Sequence, residues 1–355
     1  VFTSFNLQGD TTWMKIYGGI GVETVKNIIP SEDGGVYFVG SSTSYSLSGD
    51  LDMIYGKMSE SGDPVWVKRM VTPGAEQGRD INITSDGGLI ITGISNYLSQ
   101  DDTYDLFLLK TNGEGTPEWS HTFGVDDYEV SLKCTEADDG QNIYIWGHYD
   151  GDLSQEYDAI LIQLNSTGDL NWAKTFGGPE NEIAWDIIPH GDEGVLVTGD
   201  TSSSGVGLSD MFVMHIDADG IPVWANTYGT YSHDHATCVA LGDNNSVIVG
   251  GLSSGTGAGH IDVLTLNIDL RGVMKYAKSY GGENKDVAYD IITTTDGGHA
   301  LAGYTRSYGE GLNSGFITKV NSNGTSGCME YFSSNYQANV FELDVTDIQV
   351  NIKDT

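Results

Sequence analysis

Apolar and polar residues alternate along this chain in short runs, and no run of useful length repeats at a helical interval. Residues 172–229 show the grammar. "WAKTFGG" alternates and ends in paired glycines. "ENEIAWDIIPHGDEG" runs apolar and then turns. "GVLVTGDTS" is a second run, "DMFVMHIDADG" a third with its own turn, and "IPVWANTYG" a fourth. The runs have the length and β-branched or aromatic content of strands, and the breaks carry Gly, Asp or Asn, which accept turn geometry. The pattern predicts four antiparallel strands per unit.

The unit returns on an even beat. Its leading aromatics are Trp13, Trp66, Trp119, Trp172, Trp224 and Tyr276, at intervals of 53, 53, 53, 52 and 52 residues by subtraction. Ten residues after each comes an acid: Glu23, Glu76, Glu129, Glu182, Asp234 and Asp286. Ten further on comes a tight turn such as "TSDGG" (84–88). The third run opens with Asp52, Asp105, Asp158, Asp210 and Asp262, with Gly315 in that place in the sixth unit. Four short strands per roughly fifty residues is the blade of a β-propeller. The expected fold is therefore all-β, a six-bladed β-propeller of four-stranded antiparallel blades.

The sixth unit stops without a tryptophan strand, while "TTWMKIYGG" stands near the N-terminus without a unit. The N-terminal strand is thus expected to close the last blade and remove a free edge. Residues 1–10 read as an extension, 11–327 as the propeller and 328–355 as a C-terminal strand segment, either for assembly or opening a further domain. In that segment Phe341, Leu343 and Val345 alternate with acids, and Ile348, Val350 and Ile352 alternate with amides. A strand with no place in its own ring must pair elsewhere. Addition to a neighbouring molecule would give heterologous, head-to-tail self-association.

Composition narrows the partners. The net charge is −34, from 16 Lys and Arg against 50 Asp and Glu, which repels nucleic acid and anionic membranes. No stretch of 18 apolar residues is present, so no membrane span is expected. The three cysteines, Cys134, Cys238 and Cys328, form neither a CxxC pair nor a complete disulfide framework. Sequons at Asn82, Asn165, Asn244 and Asn323 are candidate glycosylation sites, and with the acidity they point to an extracellular or cell-surface protein.

The composite "WAKTFGG…E…D-I-I…DGG-x-x-x-x-G-x-T-S…D-x-x-x-x-K-x-x-x-x-G" resembles the secreted β-propeller repeat family often labelled SBBP, over about residues 11–327. The resemblance implies an exported propeller, commonly part of a larger protein, and assigns no activity. "DDGQNIYIWG" in the third unit and "GDNNSVIVGG" in the fifth depart from it by replacing the paired-glycine turn.

Candidate chemistry is sparse. One aromatic per unit at a fixed place is what packing between blades requires, while Trp146 and Trp185 fall outside that place and are better candidates for a ligand face. The Ser-x-Asp-Gly-Gly turns resemble the hairpins of sialidases, where they fix a turn. A sialidase needs an arginine cluster, and the four arginines fall in four different contexts. His233 and His235 stand two apart, which on a strand places both on one face, as a weak transition-metal site or as a solvated loop. No nucleophile elbow, zinc-protease or phosphate-loop motif occurs.

The acids carry the most specific expectation. Glu23, Glu76, Glu129, Glu182, Asp234 and Asp286 would form a ring, and four positions on Asp80, Asp186 and Asp290 add a second carboxylate in alternate units, with Asn27, Lys133 and Cys238 in the others. Oxygen-rich rings suit Ca²⁺. The competing reading has each acid cap its own glycine turn or pair with the lysine two residues after the aromatic (Lys15, Lys68, Lys174, Lys278). The sequence thus predicts a non-enzymatic structural or adhesive module that self-associates. A glycan-binding propeller is the second reading and a glycan-processing hydrolase the third.

Overall fold

A computed structural model describes the chain except residues 7–9, 45, 47–48, 98–103, 125–128, 151–155, 192–193, 244, 310–312, 327–329, 333–335, 342, 348–350 and 355. It is all-β: six small antiparallel sheets arranged as the blades of a six-bladed β-propeller. Blade one spans residues 23–69, blade two 76–124, blade three 129–177, blade four 182–229, blade five 234–280 and blade six 286–320. In blade four the strands are Glu182–Pro189, Val195–Thr201, Asp210–Ile216 and Pro222–Gly229, paired in chain order. Thr305 pairs with Ser314 as Thr201 pairs with Asp210, so Ser314 and not Gly315 fills the third-strand position of blade six.

Apolar residues on the facing surfaces of adjacent blades make the core. Tyr144, Trp146 and Phe176 of blade three meet Ala184, Ile187, Val197 and Phe212 of blade four, all buried. Trp146 is therefore core, and its indole donates to the Thr198 carbonyl of the next blade at 3.0 Å. The repeated aromatics also lock blades together. The Trp172 indole donates to the Ala218 carbonyl and the Trp224 indole to the Leu270 carbonyl, each in the outer turn of the following blade. Gly220, at φ 74°, leaves room for the Trp172 ring, whose nearest atom lies 2.9 Å from where a side chain would begin. Lys174 lies over its own Trp172 ring, 5.6 Å from the centroid, so this lysine column serves the aromatic column and not the inner acids.

Closure differs from the expectation. Among the described residues blade six is three-stranded, and the strand Thr11–Lys15 pairs with Phe2–Phe5 in a separate two-stranded sheet. Residues 1–10 therefore hold a strand of that hairpin. The physical reason lies in its register: the pairs Phe2–Lys15 and Ser4–Trp13, with a shift before Phe5–Thr11, repeat the third-to-fourth strand register of blade one, Tyr55–Lys68 and Lys57–Trp66 with a shift before Met58–Pro64. The edge that blade six would have used is already taken by Phe2–Phe5.

The C-terminal segment also has a place in its own molecule. Glu330–Phe332 adds a fifth strand to blade five, Gln337–Val340 to blade four, Asp344–Asp347 to blade three and Asn351–Asp354 to blade two. The chain runs back around the outside of the ring. Strands starting at 337, 344 and 351 advance one blade per seven residues, and Ala338, Val345 and Ile352 meet Tyr228, Phe176 and Phe123 in the same register. Phe341, expected as an intermolecular contact, is buried and stacks on Phe212 with centroids 5.2 Å apart. Leu343 packs against the same cluster, Val345 is partly exposed, and Ile348 and Val350 lie outside the described residues. This corrects the reading of the segment as an unplaced connector: each outer strand offered an open edge, and edges are costly to leave bare.

Of the sequons, Asn165 and Asn323 lie in outer turns, and Asn244 lies outside the described residues. Asn82 sits in a strand with its amide donating to the Cys134 carbonyl at 3.1 Å, a position a glycan would disrupt. Cys134 and Cys238 are buried free thiols, and Cys328 lies outside the described residues. Among the described residues no helix is long and apolar enough to cross a membrane.

Candidate functional site

The inner-strand acids are absorbed by their own blades. Glu182 accepts from the Gly178 amide at 2.7 Å and the Thr201 hydroxyl at 2.5 Å. Asp234 accepts from the amide and hydroxyl of Thr230 at 2.7 and 2.8 Å. Asp286 accepts from the Gly282 amide at 2.9 Å and the Ser307 hydroxyl at 2.6 Å. Glu76 is held by Thr72 and Ser95, and Glu23 by Ser42 and Ser44. The Glu129 side chain lies outside the described residues. Burial raises the carboxyls of Glu76 and Glu182, against their hydroxyl donors. These acids cap the turn that precedes them. That corrects the cation-ring reading for the five described acids, because each already has donors from its own turn or blade, although Glu76 Oε2 is left without a hydrogen-bond partner.

The second acid set does converge, on an internal cation. Lys133 Nζ lies 3.4 Å from Asp80 Oδ1 and 3.7 Å from Asp186 Oδ1. Burial alone would pull its ammonium down, but Asp80, Asp186 and Asp290 outweigh it and hold the lysine charged well above its ordinary range. Asp80 also accepts from the Asn27 amide and from the Cys134 backbone at 3.0 Å. Asp186 accepts from the Val239 amide at 2.8 Å, and Asp290 from its own Ile291 amide at 2.8 Å. Burial still pushes Asp186 up to about 6 and raises Asp290, with Lys133 opposing both. Cys238, from the same register in blade five, keeps a buried thiol raised by burial and by these acids. The trio proposed for Ca²⁺ thus forms the counter-ions of one lysine. Among the described residues no group of three or more His, Cys, Asp and Glu is placed to hold a metal.

A third cluster lies where blades four and five meet. The Trp185 indole donates to Asp200 Oδ1, whose Oδ2 pairs with His235 Nδ1 at 2.9 Å. His235 stacks on His233 with centroids 6.1 Å apart, and His233 Nδ1 meets the Ser209 hydroxyl at 2.9 Å. Burial would lower His235, but Asp200 outweighs it and the imidazole is raised. The pair expected as a solvated loop or weak metal site is therefore a bonded polar cluster with one ring on a buried carboxylate. Asp200 and Ser209 escaped the sequence because they come from blade four. Only the blade register, which sets the end of one second strand beside the next inner strand, could have found them.

The buried acids set a pH profile. Asp186 and Asp262 sit at about 6 in the folded chain, each raised by burial above an ordinary 3.8, Asp262 also by Asp286. The folded state therefore binds more protons between these values, and stability falls as pH rises through about 6. Asp33, paired with Lys57, and Asp86, where Thr84 and Lys110 outweigh burial, sit at about 2, so their stabilisation is lost as pH falls through that value. His148 and His299, lowered by burial to about 4, act in the opposite sense over the same window. The contribution of the two acids is therefore isolated by an Asp186→Asn, Asp262→Asn variant, whose melting temperature is expected to fall less, or rise more, between about pH 4 and 6.5 than that of the parent; equal pH dependence would contradict these assignments.

No known protein-family profile matches the chain. Over 175 residues, 45% of this chain, it is 27% identical to "Regulatory protein FlaEY" of Caulobacter vibrioides, and it covers 17% of that protein's length. The fold is similar to that of a puromycin-hydrolysing peptidase of Mycobacterium tuberculosis, with TM-score 0.50 and 12% identity over 85% of this chain and 45% of that one. Sqt1 from Chaetomium thermophilum gives TM-score 0.42 and 9% identity over 88% of each chain. At 12% identity the likeness to the peptidase shows the fold alone and nothing of activity.

Proposed function

We propose that this chain is a non-enzymatic, extracellular structural or adhesive module that joins to further blades through the bare faces at the two ends of its blade row. The observation that carries this reading is the pair of faces itself. Neighbouring inner strands pack in order from blade one to blade six, but among the described residues no comparable contact joins blade six back to blade one. Val25 and Ile28 on blade one stay 42% and 49% exposed, although their counterparts Ala184 and Ile187 in blade four are buried. Ile292 and Ile317 on blade six are each 59% exposed, where Val213, the counterpart of Ile317 in blade four, is buried. These are the two halves of one kind of interface, and their heterologous union builds rings or open rows.

Sedimentation velocity over a concentration series tests the reading. Association that disappears in an Ile292→Lys, Ile317→Lys variant is expected; a monomer at every concentration would refute it. The Trp185, Asp200, His235 and His233 cluster favours glycan binding as a second reading, since it combines an aromatic ring with polar donors. Binding on a glycan array that Trp185→Ala removes would favour that reading over the first.

A further inference from the structure

The hairpin of Phe2–Phe5 and Thr11–Lys15 is built as the outer half of a blade. Beyond the shared register, its turn closes with the Asn6 amide on the Asp10 carbonyl at 2.9 Å, as Asn165 closes on Asp169 at 2.9 Å. It also docks on blade one as a complete blade docks on the next. The Trp13 indole donates to the Glu60 carbonyl at 3.1 Å, matching Trp172 on Ala218. The Tyr17 hydroxyl donates to the Gly62 carbonyl at 2.7 Å, matching Tyr228 on Gly272 at 2.6 Å. Lys15 reaches Asp63 at 2.5 Å. Gly62, at φ 77°, makes room for the Trp13 ring as Gly220 does for Trp172. Phe2 packs edge-on against Phe38 of blade one, with centroids 5.6 Å apart.

The inner half is what this hairpin lacks. In blades one to five the third strand is paired on both sides, but among the described residues Phe2–Phe5 is paired only to Thr11–Lys15, as Ser314–Val320 of blade six is paired only to His299–Thr305. Phe2 also lines a cavity of about 570 Å³, together with Tyr17, Val25, Phe38, Ile54 and Val67. Ile292 and Ile317, on the face of blade six that no following blade covers, are exposed as well.

We propose that the half-blade and the two bare faces beside it form a docking slot for one β-hairpin that carries the repeat's own first and second strands. The proposal rests on the reading of those faces as joining surfaces, and it names what they take. The occupant follows from continuity with the five interfaces already formed. Its second strand pairs with the free edge of Phe2–Phe5 as Val36–Ser42 pairs with Asp52–Met58. Its apolar face toward blade one covers Val25, Ile28 and Phe38, as blade three covers Ala184, Ile187 and Val197. Its opposite face covers Ile292 and Ile317. A strand addition of this kind satisfies a backbone edge and two apolar faces together, which an unrelated ligand would not.

The full chain is titrated with a synthetic peptide of residues 76–95, the inner hairpin of blade two, and separately with residues 105–124, its outer hairpin. The inner peptide is expected to slow amide exchange at Phe2–Phe5 and to bind roughly tenfold or more tightly than the outer one. Equal binding, or no binding, overturns the slot. A second measurement covers peptide failure. With Cys328→Ser throughout, Phe2→Cys with Lys15→Cys is expected to form a disulfide, whereas Lys15→Cys with Ile317→Cys is not. Efficient formation of the second bridge would mean that blade six takes the edge beside Thr11–Lys15, leaving no room for a hairpin. Self-association without peptide binding would spare the assembly reading and sink only the slot; peptide binding by a strict monomer would do the reverse.

Discussion

Replacing Lys133 by Met is expected to cost roughly 3–5 kcal/mol at about pH 7, the range seen when one partner of a buried ion pair is removed. The ammonium is the shared counter-charge of Asp80 and Asp186, with Asp290 within its field. Met fills similar volume, so the loss reports charge and not a cavity. Asp80 is almost fully buried and keeps two donors, Asn27 and the Cys134 amide, which do not neutralise it. The sign of the pH dependence distinguishes this from general damage. With Lys133 gone, nothing opposes the burial that raises Asp186 and Asp290, so their protonation relieves the uncompensated charge and the deficit should shrink as pH falls toward about 4.5. Urea unfolding of both proteins at the two pH values measures it. A deficit that does not change with pH would show that Lys133 acts by packing alone. A triple Asp80→Asn, Asp186→Asn, Asp290→Asn change in the Met background should restore part of the stability, because neutral amides need no cation.

How much of this was legible in the sequence depends on whether the signal lies within one repeat or between repeats. The aromatic column was readable because each ring does the same local task, filling the wedge to the next blade, so Trp13, Trp172 and Trp224 could be assigned to packing without coordinates. The inner acids were half readable. Their register was plain, but whether they faced an ion or their own turn depended on amides four residues upstream, such as Gly178 and Gly282. Lys133 stands in the sequence as the single basic residue in its column. Its meaning arises only when blades two, three and four are brought round one axis.

The two ends of the chain were misread for a related reason. "NLQGDTTW" near the N-terminus matches "NSTGDLNW" of blade three, so Asn6–Asp10 was already a third-to-fourth strand turn, not an extension. The tail carries a step of seven, Glu330, Gln337, Asp344 and Asn351, but the alternation of two dominates short windows and hides it. The local reading of strand was right. Its partner could not be inferred, because a strand's alternation says which face is apolar and nothing about which edge it joins.

Replacing Phe341 by Ala is expected to cost roughly 3–5 kcal/mol, the usual range for a large aromatic truncated in a core. Phe341 is 4% exposed, stacks on Phe212, and its amide donates to the Ala225 carbonyl at 2.9 Å. It therefore pins the returning chain to blade four between the fifth strands of blades four and three. Loss of the ring should loosen the belt on both sides, and amide exchange should rise along Asn226–Gly229 and Lys174–Gly177, whose outer partners are Gln337–Val340 and Asp344–Asp347. Ending the chain after residue 326 goes further. It strips the fifth strand from four blades at once, so four outer strands become bare edges and disordered aggregation should increase. A tail that linked neighbouring molecules would give the opposite result, since its removal would leave dispersed monomers. If the shortened protein stays monomeric with unchanged exchange along the outer strands, the belt is not a structural part of the propeller. If Phe341→Ala melts like the parent protein, the stacking on Phe212 does not hold it there.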